Sequence, residues 1–175
     1  MLTYSNFGSR GFGRLANQIF KYASCIGLAK KYDVELVLPA WRYAGYFEGK
    51  FPVGKVRDAI QIKEPNFHYE PEFWDSLDWS KDIDIVSGWL QSEKFFEHCR
   101  DYVKQQLRFK SRNEIKSDKP TIAVHCRKAD YVRNPNYVNL DGDYYLNALE
   151  AHFPDWRTDY LVVAFSDAPE WCIGA

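Results

Sequence analysis

Apolar and polar positions alternate along this chain with two different periods. From Arg14 to Lys31 the side chains Leu15, Ile19, Tyr22, Ala23 and Ile26 recur at helical spacing, while Lys21, Lys30 and Lys31 fall off that stripe. The spacing predicts an amphipathic helix. Leu2–Phe7 before it is a short strand candidate, and Val34–Leu38 after it is an apolar, β-branched run stopped by Pro39. Strand, helix and strand in that order predict a parallel sheet. Asp84-Ile85-Val86-Ser87-Gly88-Trp89 adds a third strand, and residues 91–110 read as a second helix on which His98 is expected partly buried. The segment Trp41–Pro71, with Gly45, Gly49, Pro52, Gly54 and Pro65 among many aromatics, is expected to be irregular. Packing is the better reading for any one of its rings, with an acceptor surface as the other.

Residues 109–119 are charged and poor in apolar side chains, which places a boundary near Ser117 and two units, 1–117 and 118–175. The second unit opens on the apolar run Pro120-Thr121-Ile122-Ala123. It continues through a loop to Asp143, a helix over Tyr144–Phe153 and a strand over Tyr160–Phe165. Two strands and a helix are too few to enclose a core of their own. The second unit is therefore expected to be incomplete, and the 175-residue chain to be poorly active by itself.

Net charge is -1. Without a basic excess, bulk nucleic-acid binding by phosphate neutralisation is excluded. No run approaches the roughly 18 apolar residues of a membrane span, and Met1–Asn6 has neither the basic nor the apolar stretch of a secretory signal. Cys25, Cys99, Cys126 and Cys172 are scattered, with no C-x-x-C. Neither His98-Cys99 nor His125-Cys126 has ligand spacing, and in the strand that carries His125 adjacent side chains point to opposite faces. Reduced thiols and no metal site are expected.

The candidate chemistry gathers at two places. His125, Arg127, Lys128 and Asp130 arrive together where the strand beginning at Pro120 should end. Open α/β sheets place ligands at the carboxyl ends of strands, and a planar Arg fork, a Lys charge and an oriented His suit a phosphate or diphosphate. The other place is Gly11-Phe12-Gly13-Arg14-Leu15-Ala16, a G-x-G-x-x-A turn opening the first helix. Its backbone N–H groups at a helix N-terminus form an anion site, with Arg14 adding charge and Asn17 and Gln18 adding amides. A dinucleotide site would also need an acidic residue ending the second strand. Here Leu38 is followed by Pro39-Ala40, while Asp33 and Glu35 lie at its start. A dinucleotide-dependent oxidoreductase therefore stands as an alternative, as does a non-catalytic carbohydrate-binding remnant.

Four blocks carry a family resemblance. Gly13-Arg14-Leu15-Ala16-Asn17-Gln18-Ile19-Phe20-Lys21-Tyr22-Ala23 resembles G-R-L-G-N-Q-x-F-x-Y-A. Ser87-Gly88-Trp89-Leu90-Gln91-Ser92-Glu93-Lys94-Phe95-Phe96 is similar to G-Y-x-Q-S-E-K-Y-F. His125-Cys126-Arg127-Lys128-Ala129-Asp130-Tyr131 resembles H-x-R-R-x-D-Y, and Phe165-Ser166-Asp167 with Glu170-Trp171-Cys172 resembles F-S-D-D-x-x-W-C. These are the signatures of the α-1,2-fucosyltransferases, glycosyltransferase family 11. The resemblance implies an α/β, GT-B-type glycosyltransferase with a Rossmann-like N-terminal acceptor lobe and the beginning of a Rossmann-like GDP-fucose lobe. It implies inverting transfer of L-fucose from GDP-fucose to the 2-hydroxyl of a β-galactoside, without a metal cofactor. Arg127 would neutralise the diphosphate with Lys128 beside it, and His125 and Asp130 would shape that site. Gly13, Arg14 and Asn17 would approach the donor from the other lobe, and Ser166 and Asp167 would lie near the nucleoside. Lys128, Ala129 and Ala16 depart from the pattern, and Lys128 lacks the planar fork. The resemblance also implies a cytoplasmic protein, with peripheral membrane association compatible.

Overall fold

The computed structural model describes residues 1–9, 11, 13–111 and 115–174. Phe12 of the expected glycine turn, Arg10 just before it and part of the expected linker lie outside the described residues. The chain divides into two compact units, Met1–Arg112 and Asn113–Ala175.

The first unit is α/β. Its strands β1 (Leu2–Thr3), β2 (Ile60–Lys63) and β3 (Ile83–Ser87) form a parallel sheet in the order β1-β3-β2. Leu2 and Ile60 both register with Ile83 on the central strand. The predicted strand over Val34–Leu38 is reduced to single parallel bridges, Leu2 with Leu36 and Leu38 with Val53. β2 falls inside the segment expected to be irregular. Helix α1 (Leu15–Lys31) matches its periodicity, but the helical stripe understates its burial: residues 21–29 are buried without a break. Lys21, expected on the polar side, is 1% exposed.

The expected helix over 91–110 is broken. Two 3-10 turns, Glu93–Phe95 and Glu97–Cys99, precede a short helix; with α2 at Pro71–Asp75, this is α3, Arg100–Gln106. The break has a packing cause. A Cβ on Gly27 of α1 would lie 2.1 Å from the Phe95 carbonyl oxygen, so the backbone of this turn sits directly against the helix. His98, expected partly buried on that helix, is exposed. The Trp41 and Phe47 rings are buried and stacked at 5.3 Å, which settles their role as packing.

The second unit has two parallel strands, β4 (Thr121–Cys126) and β5 (Leu161–Ser166), in register from Thr121–Leu161 to Cys126–Ser166. Helix α4 (Gly142–His152) lies between them in sequence, capped by Asp141, whose carboxylate accepts the Tyr144 N–H at 3.0 Å. Short helices α5 (Trp156–Asp159) and α6 (Pro169–Gly174) flank β5. Val124, Cys126, Val162 and Ala164 share an apolar cavity with Tyr145, Leu149 and Trp171. No helix among the described residues is long and apolar enough to cross a membrane.

Candidate active site

In the second unit, strand alternation puts His125 and Arg127 on one face at the carboxyl end of β4. Both open on a hollow of about 250 Å³ that Tyr131, Val138, Leu140 and Tyr145 complete. His125 is exposed. Arg127 is held from two sides. Its Nε and Nη2 donate to the two carboxylate oxygens of Asp130 at 3.0 and 2.7 Å, and its Cζ lies 4.6 Å from the centre of the Tyr131 ring. The hydrogen bonds to Asp130 push the guanidinium pKa above its already high value. Tyr131 is in turn stacked on Tyr137 at 4.2 Å. Asp130 takes two of the five guanidinium N–H donors, and the pairing fixes the orientation of the fork.

Lys128, expected beside Arg127 as a second cation for the diphosphate, has partners inside the unit. It is buried, and its ammonium donates to Asn139 Oδ1 at 3.0 Å and to the Leu140 carbonyl. The ammonium also lies 3.7 Å from the centre of the Trp171 ring. Alternation along the extended chain sends residue 128 to the face opposite Arg127, where it braces the loop lining the hollow. Asp167 holds the same turn through its backbone, since one carboxylate oxygen accepts the N–H groups of Lys128 at 2.8 Å and Ala129 at 3.1 Å. Ser166 Oγ accepts the Ala168 N–H at 2.9 Å and shapes the turn after β5.

In the first unit, Gly11 and Gly13 have φ of +92° and +97°, a region that glycine occupies without strain. Gly13 is doubly constrained, because a Cβ there would lie 2.5 Å from Asn17 Cβ. Arg14 takes the cap position of α1 without a side-chain cap bond, and Asn17 is half-buried on the next turn. Gln18 faces inward. Its Nε2 donates to the Gly13 carbonyl at 2.8 Å, and its Oε1 accepts Trp41 Nε1 at 2.8 Å. Gln18 thus fixes the glycine turn from within.

The residues that sequence reasoning missed are Asn139, Tyr137 and Trp171, which support the Arg127 turn in the second unit, and a separate group, Lys21, Glu64 and Trp89, in the first. Trp171 and Trp89 stand inside recognised blocks, which was a usable signal. Lys21 Nζ lies 5.3 Å from the centre of the Tyr4 ring and 5.0 Å from that of Trp89, and burial lowers its pKa. Among the described residues no group of three or more His, Cys, Asp or Glu could hold a metal ion.

Neither curated proteins nor solved structures give a match to this sequence. The family model described as Glycosyl transferase family 11 matches residues 5–174. That span contains the glycine turn, the Arg127 turn and the Ser166-Asp167 turn, so the assignment rests on nearly the whole chain: it belongs to glycosyl transferase family 11.

Proposed function

We propose that this glycosyltransferase moves L-fucose from GDP-fucose to the 2-hydroxyl of a β-galactoside, with inversion at fucose C1 and on a GT-B-type scaffold. The observation that carries the reading is the Arg127 fork, aligned by Asp130 and Tyr131 at the carboxyl end of β4. In the reaction the bond from fucose C1 to the β-phosphate oxygen breaks and its electron pair leaves with GDP. The galactose O2 forms the new bond to C1, and its proton passes to a base. Negative charge grows on the diphosphate as positive charge grows on the sugar ring. A guanidinium already oriented towards that position stabilises the change without reorganising. The same fixed charge is proposed to stand in for a divalent cation, so transfer should survive a chelator.

His125 is proposed to border the donor beside Arg127, and Ser166 and Asp167 to shape the turn next to the nucleoside. Gly13, Arg14 and Asn17 form a second anion-compatible turn. Family membership sets aside the dinucleotide reading of the Gly11–Ala16 turn. The proposed compartment is the cytoplasm, with peripheral membrane association compatible.

The test is GDP release from GDP-fucose with and without lactose, alongside an Arg127→Ala variant. Lactose-stimulated release that the variant loses is the expected result. Release that is indifferent to Arg127 would overturn the proposed site.

A further inference from the structure

The first unit carries an exposed aromatic surface that the donor chemistry does not use. Phe67, in the loop after β2, is 74% exposed, and Trp89, directly after β3, is 37% exposed. Their rings are near-parallel, 18° apart with centroids at 6.3 Å. Large apolar rings left in water at one place mark an interaction site more often than scattered surface residues do. These two stand at the carboxyl ends of neighbouring parallel strands, the edge where α/β sheets bind ligands.

The surface is built rather than incidental. Glu64, at the end of β2, accepts the N–H groups of Trp89 at 2.7 Å and Leu90 at 3.1 Å through one carboxylate oxygen. Gly88 has φ +157° and approaches Glu64 so closely that a Cβ would meet Glu64 Cβ at 2.8 Å. Leu90 occupies the left-handed region at φ +50°, a conformation that a branched side chain adopts only when its surroundings impose it. The buried ammonium of Lys21 lies over the Trp89 ring from within the unit. The indole is thus fixed before any ligand arrives, which lowers the ordering cost of binding. Polar groups stand on the same loop as Phe67: Asn66 donates to Glu70, and His68 Nε2 lies 3.2 Å from Glu70 Oε1.

We propose that the Phe67–Trp89 shelf is the acceptor subsite and takes the apolar face of a neutral hexopyranose, the β-galactoside of the proposed reaction. The assignment rests on that reading for the identity of the sugar. The exposed Phe67 ring, stacked near-parallel with Trp89, offers its outer π face to the C–H groups of a pyranose, and the Asn66 and Glu70 side chains on its loop suit the sugar's hydroxyls. A nucleobase would also stack on such rings. The cation placed against the shelf, Lys21, is buried within the unit, whereas the Arg127 fork belongs to the second unit.

Lactose and GDP are titrated separately against wild type, Phe67→Ala and Trp89→Ala by saturation-transfer NMR. Phe67 is mostly exposed, so its variant tests the shelf with little folding cost. Each variant is expected to weaken lactose binding about tenfold, the loss of one stacking face, and to leave GDP binding within about twofold of wild type. Lactose binding that ignores both substitutions, or that is absent from wild type, overturns the shelf. GDP binding that falls with them shows a nucleobase there and also overturns it. GDP binding without lactose binding would keep the donor reading and discard the shelf. Shelf-dependent lactose binding without GDP binding would do the reverse.

Discussion

The carboxylate of Asp167 accepts the backbone N–H of Lys128 at 2.8 Å, joining the end of β5 to the turn that presents Arg127. The same oxygen accepts the Ala129 N–H, so Asp167→Ala removes the acceptor of two backbone donors. The expected loss is on the order of 1–3 kcal/mol in unfolding free energy. Amide hydrogen exchange should accelerate at 128 and 129 more than in the middle of β4. Asp167→Asn keeps a carbonyl oxygen and should retain most of the protection.

Gly27 is a helix-interior glycine, a position where alanine ordinarily gains about 1 kcal/mol. Here the added methyl would meet the Phe95 carbonyl oxygen at 2.1 Å. Gly27→Ala is therefore expected to destabilise the first unit by about 1–3 kcal/mol, the cost of overpacking. Urea denaturation followed by circular dichroism reads the sign directly.

Arg127 and Lys128 should respond differently to exchange of their charges. Arg127→Lys keeps the charge and loses the two-pronged contact with Asp130, so GDP affinity is expected to fall about ten- to a hundredfold with little change in stability. Lys128→Arg restores the family pattern but forces a wider head group among Asn139, Leu140 and Trp171. It should lower the melting temperature without improving GDP affinity. Calorimetric titration and thermal unfolding of both variants separate the two effects.

The Lys31, Tyr32 and Asp75 side chains predict a pH dependence. Lys31 Nζ and Tyr32 OH both donate to Asp75 Oδ1, at 2.7 and 2.6 Å. The Lys31 contact first, and Tyr32 second, hold the Asp75 carboxyl below the ordinary carboxylate range. A depressed acid contributes stability above its unfolded pKa and loses it as pH falls through the folded value. Asp75→Asn should therefore melt below wild type at pH 7. The two curves should converge as pH drops past the usual Asp range, about 4 and below.

Elements whose apolar spacing is set locally were legible in the sequence. Helix α1 follows from Leu15, Ile19, Tyr22 and Ile26, and the parallel order follows from strands alternating with helices. β2 was hidden because Ile60 and Ile62 alternate for only four residues inside a glycine- and proline-rich stretch. The helix expected over 91–110 failed for a reason outside its own residues, the close approach of Phe95 to Gly27. At the candidate site the motifs were readable, but the direction of each side chain was not. Lys21, Gln18 and Lys128 are polar letters that read as exposed, and all three are buried because tertiary neighbours supply their partners or cover them. A single sequence has no local signal for such distant partners.

β4 and β5 are neighbours in space, yet the contact that locks the Arg127 turn spans 39 residues of chain. Parallel strands cannot meet through a tight hairpin, so a long crossover that includes α4 separates β4 from β5. Loop-closure entropy precedes the reward of pairing, so such contacts form late in folding. A nascent chain halted before Asp167 would hold every letter of the Arg127 motif without its geometry. The unit thus cannot present the Arg127 turn in its final geometry until β5 has docked.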